Sequence, residues 1–126
     1  SASSKNADDS VTDGNGCRFM VPAWLRNNIG SQTVQWSGGC SNGYLDGAGR
    51  LSWVAGAMQM PSIIDGNLRA GYLDGVNSVL WPEGWRFTTS FSAGRPQEDG
   101  LLEMNGQRFS ANLDARTGVI RTGRSQ

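Results

Sequence analysis

Gly43-Tyr44-Leu45-Asp46-Gly47 occurs again as Gly71-Tyr72-Leu73-Asp74-Gly75, 28 positions later. The match extends outward on both sides. Trp36, Gly38 and Cys40 align with Ile64, Gly66 and Leu68, and Leu51, Trp53 and Gly56 align with Val79, Trp81 and Gly84. An identical pentapeptide inside an aligned frame of about twenty positions marks an internal repeat, a supersecondary unit that buries its apolar side chains only against its neighbours.

The spacing inside the unit is that of a β-hairpin. Side chains alternate across a strand, so Val34, Trp36 and Cys40 share one face of the outgoing strand. Gly38, between Trp36 and Cys40, leaves room there for a neighbouring ring. Ser41-Asn42-Gly43 is a tight turn, with Asn and Gly available for positive φ. On the return strand Gly47, Gly49, Leu51 and Trp53 share a face. Eighteen glycines in 126 residues, without a Gly-X-Y period, supply turns, while five Trp, four Phe and two Tyr supply packing. That is the composition of a β protein built from short hairpins.

Written as spacing, the first copy runs Trp36-x-Gly38-x-Cys40-x-x-Gly43-x-x-x-Gly47-x-Gly49-x-Leu51. It resembles the MORN repeat, whose pattern is Tyr-x-Gly-x-Trp-x-x-Gly-x-x-x-Gly-x-Gly-x-Leu. The second copy, Ile64 to Val79, has Asn77 at a glycine position, and Asn tolerates left-handed φ. A third, Phe87 to Leu102, has Thr89 and Glu98 at glycine positions, and a half copy follows at Phe109, Ala111 and Leu113. The resemblance covers residues 33–113 and implies an all-β fold, a single antiparallel sheet of successive hairpins forming a ribbon. The ribbon comprises about three repeats plus an N-terminal strand at Cys17–Val21. Ala55 to Ser62 is an insertion that makes the first step 28 residues, where 23 separate Leu68 from Phe91.

Residues 1–16 carry one large apolar side chain, Val11, and read as a disordered tail following a signal or lipoprotein site. The folded domain is expected over 17–118, with 119–126 a flexible C-terminal tail. Cys17 and Cys40 are either two buried thiols or a disulfide closing a loop of 22 residues, worth about 3 kcal/mol in the chain-entropy model. Cys40 replaces the second aromatic of the MORN pattern, where a bridge staples the N-terminal strand to the first hairpin. The expectation is therefore a Cys17–Cys40 disulfide in a periplasmic or secreted bacterial protein, with lipid anchoring through the tail as a variant.

The absence of His removes Ser-His and Cys-His nucleophile systems and leaves the two cysteines unable to complete a zinc site. No metal or cofactor is expected. Zero net charge with a single Lys excludes the electrostatic footprint of a nucleic-acid binder and weakens any attraction to anionic lipid. Asp46 and Asp74, in consecutive hairpins about 10 Å apart, are the best candidates for a carboxylate-dependent hydrolase. Asp beside Gly is, however, a common turn residue.

A single-layer ribbon has two faces and too little chain to cover both. One face is therefore expected to bind a protein partner, with Trp81, Trp85 and Arg86 as anchors, rimmed by Arg50, Arg69 and Arg95 and by Tyr44 and Tyr72. Trp85 lies just beyond the repeat frame, where the first copy has Ala57, and either covers a hairpin end or meets the partner. The expected function is a non-enzymatic protein-binding module of the bacterial cell envelope, of the kind by which an immunity protein neutralises a secreted toxin or enzyme. Binding of lipid or glycan, with peripheral membrane contact, is the alternative; the sequence leaves the oligomeric state open. The disulfide is checked by intact mass after alkylation: without reductant no thiol is modified, and with reductant two are.

Overall fold

The computed structural model describes residues 9–125, with side chains as far as Thr122. Among the described residues thirteen strands make one open sheet. They are β1 (Ser10–Thr12), β2 (Arg18–Met20), β3 (Gln35–Trp36), β4 (Gly39–Ser41), β5 (Tyr44–Ser52), β6 (Ile63–Arg69) and β7 (Tyr72–Leu73). β8 (Gly75–Leu80), β9 (Arg86–Ser92), β10 (Arg95–Pro96), β11 (Gly100–Met104), β12 (Gln107–Leu113) and β13 (Ile120–Ser125) complete it. The main order is β1-β2-β5-β6-β8-β9-β11-β12-β13, with β3 and β4 on β5, β7 on β6 and β10 on β9. Only the Arg18↔Tyr44 contact of β2 with β5 and the Asp13↔Val34 bridge are parallel among the described residues. The expected sheet of successive hairpins is what the chain forms.

Two-residue turns at Asn42-Gly43, Ala70-Gly71, Ala93-Gly94 and Asn105-Gly106 drive the reversals. In each, φ is 50–53° at the first residue and 81–87° at the glycine. Positive φ at both positions defines the type I′ turn, whose twist matches that of the flanking strands. The first three hairpins also share one irregularity. Between the pairs Trp36↔Leu51 and Gly39↔Asp46, three steps along one strand oppose five along the other. The same slip separates Asp65↔Ser78 from Leu68↔Leu73, and Thr88↔Leu101 from Phe91↔Pro96. Pairing between hairpins, β5 with β6 and β8 with β9, runs without a slip.

The slips let one apolar row stay in register across the sheet. Trp36, Leu51, Ile64, Val79, Phe87, Leu102 and Phe109 are successive cross-strand partners, so the first position of each repeat meets the last position of its own and of the preceding one. Glycines make room for the rings: a Cβ at Gly49 would lie 2.9 Å from Trp36 Cη2, and one at Gly100 2.9 Å from Phe87 Cε1. In the second repeat Asn77 takes this space, since a Cβ on Gly66 would collide with its Oδ1. Asn77 is therefore not in the left-handed conformation that the glycine pattern suggested. It is buried, its Oδ1 accepting from Asn67 N at 2.8 Å and its Nδ2 donating to the carbonyls of Asp74 and Gly75.

One face of the sheet is covered by the segment after β2, here called the strap. It passes through a 3₁₀ turn (Ala23–Leu25) and one helical turn, α1 (Arg26–Ile29), before rejoining the sheet at Val34. Phe19, Leu25, Ile29 and Val34 are each no more than 2% exposed and close the core over Leu51, Ile64, Val79 and Phe87. Trp24 stacks on Phe91 with centroids 5.9 Å apart and donates Nε1–H to Gly94 O at 3.0 Å. The Asn28 amide donates to Pro61 O and accepts from Gly56 N, both at 2.6 Å. At its start the strap is fixed by the Cys17–Cys40 disulfide, Cα–Cα 6.2 Å. Such a bond points to an oxidising environment outside the cytoplasm. The other face mixes polar side chains with exposed apolar ones, Val76 and Leu101. Arg50 grips Asp65 through two bonds of 2.7 and 2.6 Å, which hold the Asp65 carboxyl below its usual range, and Ser78 meets Thr88 at 2.8 Å.

Both expected tails need correction. Of the tail expected over residues 1–16, residues 1–8 lie outside the described residues, but Ser10–Thr12 is a strand and Val11 is buried. Asp13 explains why so polar a stretch folds: its Oδ1 accepts from the N–H groups of Asn15 and Cys17, turning the chain so that β1 lies along β2. Thr12 O then accepts from Val34 N at 3.0 Å. At the other end Ile120–Ser125 is a strand on β12, while Gln126 lies outside the described residues. Asp114 Oδ1 accepts from Arg116 and Thr117 N–H, bonds that hold its carboxyl below the usual range, and so builds the turn that leads the chain back into β13. The folded region spans 10–125 rather than 17–118.

Ala70 and Ala93 hold the left-handed first position of their turns, where an L side chain other than Asn, Asp or Gly is strained. Ala93 is solvent-exposed. Ala93→Asn is expected to raise stability by about 1 kcal/mol, read as a higher Tm and denaturation midpoint with an unchanged m-value.

Candidate functional site

The cover over the sheet is incomplete towards β13. Between the strap and strands β8, β9 and β11–β13 lies a pocket of about 350 Å³. Its floor is the inner row of the sheet: Val79, Phe87, Leu102, Met104, Leu113 and Ile120. Trp24, Leu25 and Asn28 of the strap form one wall, and Gln59, Met60 and Pro61 of the insertion another. Trp81 and Trp85, both half-exposed, complete the lining with Thr117, Gly118 and Thr122.

The indole pair is set by the turn between β8 and β9. Trp81 N donates to Trp85 O at 3.0 Å and Gly84 N to Trp81 O at 2.9 Å, which places the two rings side by side, centroids 6.4 Å apart and tilted by 49°. The first repeat closes the equivalent loop between Trp53 N and Ser62 O, so the inserted residues bulge out as a longer loop. That loop reaches the next hairpin, where Gln59 O accepts from Trp81 Nε1 at 3.2 Å. It also leaves Val54 76% and Met58 89% exposed. The insertion thus builds one side of the pocket, and the same loop carries exposed apolar side chains.

No Asp, Glu, Lys or Arg lines the pocket, so this cavity offers no group for proton transfer and no counter-charge for an ion. Most of its polar groups are already engaged. Trp24 Nε1, Trp81 Nε1 and both ends of the Asn28 amide bond to backbone, and Thr117 Oγ1 accepts from Val119 N at 3.2 Å. Among the described residues no cluster of three or more His, Cys, Asp or Glu is arranged to hold a metal ion. Asp46 has a structural contact: its Oδ1 accepts from Ala70 N at 3.1 Å and ties one hairpin to the turn of the next.

The expected anchors do not form one surface. Trp81 and Trp85 come together at the pocket. Arg86, Arg50 and Arg69 alternate with the inward-facing Phe87, Leu51 and Leu68 and so belong to the opposite face. Arg95, paired with outward Ser92, belongs there too. Tyr44 and Tyr72 pack hairpin tips. A Cβ on Gly71, where φ is +87°, would sit 3.1 Å from Tyr44 Cδ1, and one on Gly94 would sit 3.9 Å from Tyr72 Cδ1. Sequence reasoning missed the strap residues Trp24 and Leu25 and the β13 residue Ile120. The repeat frame contains neither segment, and Met60 of the insertion was the only signal within reach. No protein-family model and no curated protein matches the chain.

The two indoles differ in their support. Trp81 packs against the core cluster, whereas Trp85 is outside it and leans on Trp81. Trp85→Ala is expected to cost about 1 kcal/mol or less and Trp81→Ala about 2–3 kcal/mol, below the full cost of a buried Trp. Urea denaturation of both variants against the parent checks the ranking.

Proposed function

We propose that this protein is a non-enzymatic binding module of the bacterial cell envelope that engages a protein partner through the pocket and its rim. The observation that carries the reading is a charge-free cavity with two half-exposed indoles in its lining, walled on one side by the loop that carries the exposed Met58. Trp and Met are enriched in the desolvated centres of interfaces, where charged residues are depleted. Trp85 lies at the pocket yet contributes little to the core, a combination expected of an anchor rather than scaffold. The disulfide supports placement outside the cytoplasm, and the periplasm or exterior of a bacterium is the setting assigned here. Within that setting we assign the role of an immunity or inhibitor protein, whose rigid sheet occludes a secreted toxin or enzyme. The MORN-like spacing is consistent with a binding ribbon.

Lipid binding is a second reading that the same cavity favours over glycan binding. Sugar recognition calls for free hydrogen-bonding groups, and the lining has few. A photo-crosslinking amino acid at Met58, with Arg108 on the opposite side of the sheet as control, tests the protein reading in cells of the source organism. The expected result is a discrete protein adduct from Met58 and none from Arg108. Equal adducts from both positions, or none from Met58, would sink the assignment.

A further inference from the structure

A pocket's engaged hydrogen bonds define its occupant as much as its shape does. Here several of the wall groups that could have recognised a polar ligand are consumed internally: Trp24 Nε1 by Gly94 O, Trp81 Nε1 by Gln59 O, and the Asn28 amide by Pro61 O and Gly56 N; the remaining polar side chains of the lining, Gln59, Trp85, Thr117 and Thr122, are all uncharged. An entering charge would lose its hydration and find no counter-charge in the lining. At about 350 Å³ the volume lies at the lower end of the ligand-pocket range, suited to one or two large side chains rather than a helix.

We propose that the pocket receives an uncharged, large apolar side chain, aromatic or branched aliphatic, presented on an exposed loop of the partner protein. This rests on the protein-binding reading above. The rim argues for a side chain over a free acyl chain. Met58 stands 89% exposed and is the chain neighbour of Gln59 on the loop that walls the pocket, so an exposed apolar side chain lies one residue from the lining. A ligand filling only the cavity leaves that side chain in water, whereas a protein loop carrying a knob covers both. The three indoles of the lining suit a planar or branched apolar group by stacking and edge contacts.

The test needs no knowledge of the partner. Uniformly ¹⁵N-labelled protein is titrated with the N-acetyl amides of Trp, Leu, Glu and Lys and with 1-octanol, following the indole N–H signals. Trp81→Phe and Trp85→Phe variants assign the two pocket indoles. Trp36 and Trp53 lie outside the lining and serve as internal controls. The expected result is that the Trp and Leu amides move the Trp81 and Trp85 signals, leave Trp36 and Trp53 in place, and bind at least tenfold more tightly than the Glu and Lys amides. Equal shifts from the charged amides, or shifts spread over all five indoles, overturn the proposal. Octanol binding a hundredfold more tightly than any amide overturns it too, because the occupant is then an acyl chain. A Met58 adduct with silent pocket indoles removes this inference and leaves the binding module standing. Shifted indoles without an adduct remove the protein partner and keep the pocket's preference for uncharged apolar groups.

Discussion

A lone β-sheet cannot hide its apolar side chains, and that constraint organises this molecule. Seven apolar residues, Trp36 through Phe109, are laid side by side by the strand register, on a sheet too short to fold back on itself. The cover comes from the N-terminal part of the chain. Phe19, Leu25, Ile29 and Val34 are buried with the row in one core, and the Trp24–Phe91 stack holds the strap to β9. Without the strap the sheet would present a continuous apolar strip to water.

The cavity follows from a mismatch between the two layers. The strap has a 3₁₀ turn and a single turn of α-helix with which to cross a sheet of thirteen strands. Over β11–β13 it has nothing left, and Leu102, Met104 and Ile120 line open space. The insertion after Trp53 borders that gap without filling it: Pro61 O and Gly56 N bind the strap through Asn28, while Met58 is left in water. One departure from the repeat therefore both braces the fold and builds the candidate site.

The repeat made the sheet legible because its signal is local. Turn glycines, the alternation of Trp36 and Leu51 with polar neighbours, and the equivalence of Ile64 with Phe87 all sit within one hairpin or its neighbour. The ends were misread because their order is tertiary. Val11 has no apolar company in sequence and folds because Asp13 turns it onto β2 and Thr12 onto Val34. Asn77 shows the same limit at one residue, since a glycine position in the pattern turned out to need volume rather than a special φ. The site was half legible: Trp81 and Trp85 stood out as rings around a turn. Their grouping with arginines failed because strand parity, not nearness in sequence, decides which face a side chain joins.

The contact between Trp24 and Gly94 spans 70 residues, and Gly118 packs against Trp24 still further along the chain. As the polypeptide emerges during synthesis, the strap comes first and its proper surface comes last. Hairpins can zip one by one from the first turn onward, but Trp24, Leu25 and Ile29 stay without their final partners until most of the sheet exists. Topology of this kind slows folding and lengthens the time for which apolar segments are open to wrong contacts. The Cys17–Cys40 bond spans only 23 residues, so oxidation soon after the first hairpin appears would park the strap beside its place. On this view the disulfide contributes as much to the order of assembly as to the endurance of the finished molecule.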